Sequence, residues 1–330
     1  MSKVAITGAL SYTGRYLTEH LIKNHGVTSI LNFSRRSTPI SDTLSAADLS
    51  KITTQPLDFT SKTSMSKSLE GVDVFYCTYW IRFESKTDTH HAASLRVKSA
   101  FEAAAEAGVK KIVFSSHTHA SLDSPFSYIK NKAVAEKNLR EISLSTGVNY
   151  SIVRPCGIFG DTPNESILLN NAAYVLRRTP LFLLAEDGNA RFQPVHVRDM
   201  AELMAELGCG SVGTSGEEVD ACGPDRPKAI ELFNFINDNA KGVAVVSPTY
   251  MPTSVITKLS KPIDWITGDI LLDKDDLDLL VTGLTVANDP TDERIKKRRS
   301  LFKWIEEVGG ELGENYVSSV ERYYDVNTGK

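Results

Sequence analysis

The chain has 330 residues, of which 41% are hydrophobic and 24% charged, and its 37 basic and 41 acidic side chains leave a formal charge of −4. Such a length builds one elaborated domain or two, and this ordinary balance excludes a disordered or fibrous chain. The mild negative charge gives no long-range attraction to nucleic acid or anionic lipid, so no nucleic-acid partner is expected and any bound anion must be held by local chemistry.

The first predicted strand, KVAIT at 3–7, leaves no room for a signal peptide before it, and no run of about 18 apolar residues suits a membrane span. Both readings point to a cytoplasmic protein. The strand runs into GALSYTG and then a helix carrying Leu17 and Leu21. Strand, tight turn and helix form the context of a dinucleotide fingerprint. Gly8 permits the sharp turn, Gly14 lets helix and strand approach, and the amides near Tyr12 and Thr13 meet a pyrophosphate. Ser11 stands in the middle glycine position, as the smallest residue that also donates a hydrogen bond there.

The second strand, SILNFS, is followed by Arg35 and Arg36 where an acid would select a free ribose 2′-hydroxyl. Ser34 beside two guanidinium forks suits a 2′-phosphate, so NADP(H) is favoured over NAD(H). Strands at ITTQPLD and VDVFYCT bring Asp58 and Phe59 toward the adenine, and Cys77, Thr78 and Tyr79 with Trp80 toward the cofactor. A helix with Val97, Ala100, Phe101 and Ala104 on one face ends at Gly108. The fifth strand, KKIVFSS, ends in Ser115 and Ser116. Beyond it Tyr128 and Lys132 stand four apart, on one face of a helix. An ammonium beside a phenol of ordinary pKa about 10 favours phenolate, which makes Tyr128 a usable acid and base, while a serine hydroxyl at the strand end polarises the same substrate oxygen.

With YSIVRP as the sixth strand, the pattern predicts an α/β fold, a Rossmann-type doubly wound parallel sheet over residues 1–155. A smaller, mostly helical substrate region over 156–330, partly interleaved with the sheet, is expected to hold a helix at 167–178, a strand-like FQPVHV and a helix started at Arg198 and Asp199. Trp304, Ile305, Tyr316 and Val320 make the tail too apolar for a linker. Cys77, Cys156, Cys209 and Cys222 are far apart and lack metal-ligand spacing, which reads as reduced thiols in or near the core, with neither a zinc site nor a disulfide framework.

TGALSYTG, the serine pair followed by YIKNK, and VRPCGIFG together resemble the short-chain dehydrogenase/reductase superfamily, of the extended or atypical kind that is NAD-dependent epimerase/dehydratase-like or NAD(P)H-binding. The likeness continues through YCTYWIRF, LLNNAAYVLRRTP, DGNARFQPVHVRDMAEL and SLFKWIEEVG, over nearly the whole chain, and looks like a bacterial-type branch with complex-I-associated relatives. It implies Tyr128 as general acid/base and Lys132 as the partner that lowers its pKa and bonds the nicotinamide ribose. It further implies that Ser116 steadies the substrate oxygen, with Ser115 the alternative, and that Pro155, Gly157 and Ile158 line the nicotinamide amide.

Trp80, Arg82, His117, Arg191, Gln193 and His196 belong to loops expected near the strands' C-terminal ends and are candidates for touching a small-molecule substrate. Two departures stand out: Ser11 itself, and His117-Thr118-His119 after the serine pair. The implied activity is hydride transfer to or from a carbonyl or alcohol carbon by a monomer or homodimer. The alternatives are nucleotide-sugar epimerisation or dehydration, and a non-catalytic NADP(H) sensor or scaffold.

Overall fold

The computed structural model describes residues 3–34, 43–86, 88–210, 213–267, 269, 274–289 and 291–319. In chain order its elements are β1 (Lys3–Thr7), α1 (Tyr12–Asn24), β2 (Ser29–Phe33), α2 (Ala46–Leu49), β3 (Ile52–Gln55), α3 (Lys62–Leu69), β4 (Val74–Cys77), α4 (His90–Glu106), β5 (Lys111–Ser115), α5 (Ser127–Thr146) and β6 (Asn149–Pro155). There follow β7 (Ile158–Phe159), α6 (Ile167–Leu176), β8 (Leu181–Leu184), β9 (Val195–His196), α7 (Val197–Ala205), β10 (Glu217–Ala221), α8 (Ala229–Asn239), β11 (Val245–Pro248), α9 (Thr253–Thr267), α10 (Lys274–Val281), α11 (Glu293–Lys296) and α12 (Leu301–Val308). The chain divides into two compact units, residues 1–155 with 197–221 and residues 156–196 with 222–330.

The first unit is built on a seven-stranded sheet of order β10-β6-β5-β4-β1-β2-β3, in which every pairing is parallel. Six of these strands coincide with the apolar runs of the sequence. The seventh, β10, was not expected, because Glu217 and Glu218 interrupt its apolar pattern. An edge strand buries only part of itself, and here Val219 and Ala221 are the buried positions. Val97, Ala100, Phe101 and Ala104 of α4 are all buried, and Gly108, at φ +76°, turns the chain back after the helix. α7 lies against α1, where Arg198 pairs with Glu19 at 3.1 Å and sits 4.9 Å over the Tyr16 ring. Glu136 of α5 receives Arg140 at 2.9 Å and Arg154 at 2.7 Å, and Glu218 of β10 receives Arg140 at 2.7 Å, so four charges bind α5, β6 and β10 together.

The second unit has its own core, with Phe159, Leu169, Leu176, Leu232, Ile236, Leu301, Trp304 and Ile305 buried. The tail contributes as its composition suggested: Trp304 donates to the Asp161 carbonyl at 3.0 Å, and Tyr316 donates to Asp269 at 2.7 Å. Val320 lies outside the described residues. Of FQPVHV only Val195–His196 pairs as a strand, against β7, since Pro194 has no N–H to give. α6 stops at Leu176, two residues earlier than expected, ahead of Thr179-Pro180. Cys77, Cys156 and Cys222 are buried and Cys209 is half-buried, all as thiols outside any disulfide. Among the described residues no helix is long and apolar enough to cross a membrane.

Candidate active site

β1 and β4 are neighbours although five elements separate them in sequence, so the strand order reverses there and the loops leaving both strands flank one crevice. Gly8 leaves β1 at φ +75°, and its amide donates to the Phe33 carbonyl at 2.9 Å. A Cβ on Gly14 would fall 1.9 Å from the Gly8 carbonyl oxygen, so α1 seats on the turn as closely as two backbones can. The Ser11 hydroxyl donates to that same oxygen at 2.6 Å. It closes the turn and makes no side-chain bond to the amides of α1, whose N-terminal donors suit an anion.

Residues that sequence reasoning missed brace this turn. Asn32 of β2 accepts from the Ala9 amide at 2.8 Å and donates to Thr54 at 3.0 Å. The Thr7 hydroxyl accepts from the amides of Thr78 and Tyr79 at 2.8 and 2.9 Å, and the Thr78 hydroxyl donates to the Thr7 carbonyl, which pins the exits of β1 and β4 to each other. Arg15 is fully buried, with its guanidinium 4.7 Å over the Tyr16 ring and 5.7 Å over Tyr12, and donates to Thr43 at 2.9 Å. Asp58 is exposed and accepts from the Thr60 hydroxyl and amide, which hold its carboxyl below the usual range. Phe59 packs against Tyr79 with tilted rings whose centroids are 4.7 Å apart, and the Tyr79 hydroxyl accepts from Arg96 at 2.9 Å. The Ser34 amide donates to Gln55 at 3.0 Å, while Arg35 and Arg36 lie outside the described residues.

The first turn of α5 presents Tyr128 to a ring cluster: His90 at 5.2 Å, His117 at 5.6 Å and Trp80 at 6.1 Å between centroids, all edge to face. One turn on, Lys132 is buried. Its ammonium donates to the Ser115 carbonyl at 2.7 Å and lies 4.2 Å over the Trp80 ring, 4.9 Å over Phe114 and 5.9 Å from the Tyr128 ring centre. Burial pulls its pKa down to about 7. Burial also pushes the Cys77 thiol up to about 12, so at neutral pH that thiol is uncharged and supplies no counter-ion, and Glu136 is already engaged by two arginines.

Ser116 is buried as the first residue beyond β5, and its hydroxyl has no hydrogen-bond partner among the described residues. His117 contacts the Thr118 carbonyl through Nδ1 at 2.7 Å. Glu84, also missed, accepts from the His90 amide at 2.7 Å and the Ser127 hydroxyl at 3.0 Å, and so ties the starts of α4 and α5 together beside Tyr128. The Arg82 guanidinium covers the Phe83 ring at 5.1 Å.

Pro155 ends β6 within the first unit, its carbonyl accepting from Thr118 at 3.2 Å. Five candidates belong to the second unit and have roles inside it. The Gly157 carbonyl accepts from Val195 at 2.9 Å, and Ile158 pairs with Val195 in β7 and β9. Gln193 is buried, donating to Gly223 and accepting from the Ala287 amide, both at 3.0 Å. Arg191 donates to the Arg226 carbonyl at 2.7 Å, and His196 stands edge-on to Phe159 at 5.2 Å.

A parallel sheet whose order reverses at β1, with a glycine turn on that strand and a Tyr-Lys pair on the helix after β5, defines a dinucleotide-binding protein with the fold of the extended short-chain dehydrogenase/reductases. The chain belongs to the NAD(P)H-binding family, whose model matches residues 8–177. Along its length it is similar to the mitochondrial NADH dehydrogenase [ubiquinone] 1 alpha subcomplex subunit 9 of Dictyostelium discoideum, 24% identical over 317 residues that cover 90% of this chain and 84% of that one. In structure it is similar to triphenylmethane reductase from Citrobacter sp., solved with NADP(H), at a TM-score of 0.71 and 15% identity over 93% of this chain and 99% of the other. It is similar also to UDP-N-acetylglucosamine 4-epimerase from Bacillus cereus, at a TM-score of 0.64 and 18% identity over 98% and 100%. The expectation of a cytoplasmic protein is corrected by these comparisons, because the curated relatives, from slime mould, mouse, plant and fungus, are designated mitochondrial.

Proposed function

We propose that the chain is an NADP(H)-dependent oxidoreductase acting on a carbonyl or alcohol carbon of a small organic substrate, with Tyr128 moving the proton. The observation that carries this reading is the gathering of Tyr128, the buried Lys132 and the unpartnered Ser116 hydroxyl at the ends of β5 and α5. The cradle fits the cofactor: a turn with no space for a Cβ at Gly14 and an α1 start that Ser11 does not cap. The bound nicotinamide would supply or take the hydride. Ser116 donates to the substrate oxygen, and Tyr128 gives that oxygen a proton in reduction or removes one in oxidation. Lys132, in its charged form, favours the phenolate, while Arg35 and Arg36 hold the 2′-phosphate.

The test is a panel of quinones, aldehydes, ketones and nucleotide sugars offered with NADPH to the wild-type chain and to Tyr128→Phe. Loss of a positioned acid/base lowers turnover by about 10²–10⁴-fold and leaves NADPH affinity nearly unchanged. Undiminished turnover in the variant removes Tyr128 from the mechanism.

A second reading is a protein that holds the cofactor and serves a protein assembly. It is supported by likeness across 90% of the chain to a relative named as a subunit of the NADH dehydrogenase [ubiquinone] 1 alpha subcomplex, and it is favoured if the wild-type chain binds NADPH and turns over nothing on the panel.

A further inference from the structure

We infer that Cys156 and Cys222 of the second unit form a dithiol that hydrogen peroxide converts to a disulfide. The two sulfurs are 66 residues apart in sequence and 3.2 Å apart in space. Cys156 is 8% exposed and Cys222 fully buried, in a small apolar cluster with Ala287 and Ile295. Backbone holds the pair in place. The segment Gln193–Val195 runs between them: Val195 donates to the Gly157 carbonyl at 2.9 Å beside Cys156, and Gly223 donates to the Pro194 carbonyl at 3.1 Å beside Cys222. A Cβ at Gly223 would fall 2.4 Å from the Pro194 oxygen, so the Cys222 backbone has nowhere to retreat. Cys156 and Cys222 are also the first residues of the two segments that compose the second unit, so a bond between them would join the starts of both.

The other two thiols have different company. Cys77 is the thiol that burial pushes up to about 12, and Cys209 accepts from the Tyr76 hydroxyl at 3.4 Å.

The chemistry balances as two successive steps. Cys156, the more accessible of the two, attacks as thiolate on one peroxide oxygen. An S–O bond forms, the O–O bond breaks, and the displaced hydroxide takes up the thiol proton to leave as water. Cys222 sulfur then attacks the Cys156 sulfenic acid, an S–S bond forms, and a second water departs with the Cys222 proton. Two sulfurs are each oxidised by one electron, and one peroxide is reduced to two waters. In the reduced form Cys156 donates to the Gln193 carbonyl at 2.7 Å, and oxidation removes that donor while the Gln193 side chain keeps its bonds to Gly223 and Ala287. The reaction needs no nicotinamide and stands apart from the proposed activity.

The experiment treats the reduced full-length chain with hydrogen peroxide, alkylates the remaining thiols and maps the digest by mass spectrometry. The expected product is a Cys156–Cys222 crosslink, two hydrogens lighter and reversed by dithiothreitol, with Cys77 still alkylated as a thiol and the melting temperature raised by roughly 5 °C or more. Cys222→Ala is expected to stop at a sulfenic acid on Cys156 that dimedone traps, and Cys156→Ala to form no crosslink. Mapping on the wild-type chain decides the matter even where a variant fails to fold. A crosslink through Cys209, sulfinic acid without a crosslink, or resistance of both thiols to peroxide levels that oxidise the urea-unfolded chain would overturn the assignment.

Discussion

Replacing Lys132 with methionine isolates what burial of that ammonium costs the fold. The gap between an ordinary 10.5 and about 7 corresponds to about 4 kcal/mol at pH 7, taking roughly 1.4 kcal/mol per pH unit. Methionine gives up the ammonium's bond to the Ser115 carbonyl, worth about 1.5–3 kcal/mol for a charged donor, and its place over the Trp80 and Phe114 rings, worth about 0.5–1 kcal/mol. The variant is therefore expected to be more stable by up to about 2 kcal/mol, a rise of up to roughly 8 °C in melting temperature for a unit of this size. The pH dependence has a definite sign. The folded pKa lies below the unfolded one, so the unfolded chain binds more protons between pH 7 and 10.5; the penalty is full below that window and fades as pH rises through it. The gain in Lys132→Met should accordingly be largest at pH 7 and below, and shrink toward pH 10. Thermal melts of both chains by circular dichroism at several pH values across that window measure it. A variant that melts below the wild type at pH 7, or a difference that does not change with pH, would refute the reasoning.

The protein is expected to bind NADPH more tightly than NADH, and the Arg35→Ala, Arg36→Ala double variant to lose that preference; fluorescence titration of both cofactors measures it, and equal affinities in the wild type would dismiss the role of the arginines. Gly14→Ala forces a Cβ to within 1.9 Å of the Gly8 oxygen and should cost about 3 kcal/mol or more along with NADPH binding; a variant that melts and titrates like the wild type would show that α1 can shift off the turn.

Strands β1, β2 and β4 to β6 were legible because a strand buried on both faces is largely apolar, and VFYC of β4 is buried at every position. β10 escaped for the converse reason: Glu218 spends its charge on Arg140, a partner 78 residues away. Gly14 was readable since only glycine tolerates the backbone contact it makes. Thr7, Asn32, Glu84 and His90 were not, because each is an ordinary polar residue whose role arises when another loop closes on it; Thr7 meets Thr78 across 71 residues and Asn32 meets Ala9 across 23. The Cys156–Cys222 proximity was hidden in the same way. The cellular compartment was misread because composition and the position of the first strand do not encode it.

The first unit draws β10 and α7 from residues 197–221, after the chain has already departed for the second. During synthesis, then, a ribosome that has released only residues 1–155 has produced a sheet with β6 as a raw edge and an α1 flank awaiting its cover. At that stage Arg140 and Arg154 share Glu136 alone, an excess of positive charge that Glu218 later neutralises. An unpaired parallel edge of that kind recruits strands from neighbouring chains. A fragment cut at Pro155 should therefore aggregate, and the shortest N-terminal piece able to complete the sheet runs to Ala221.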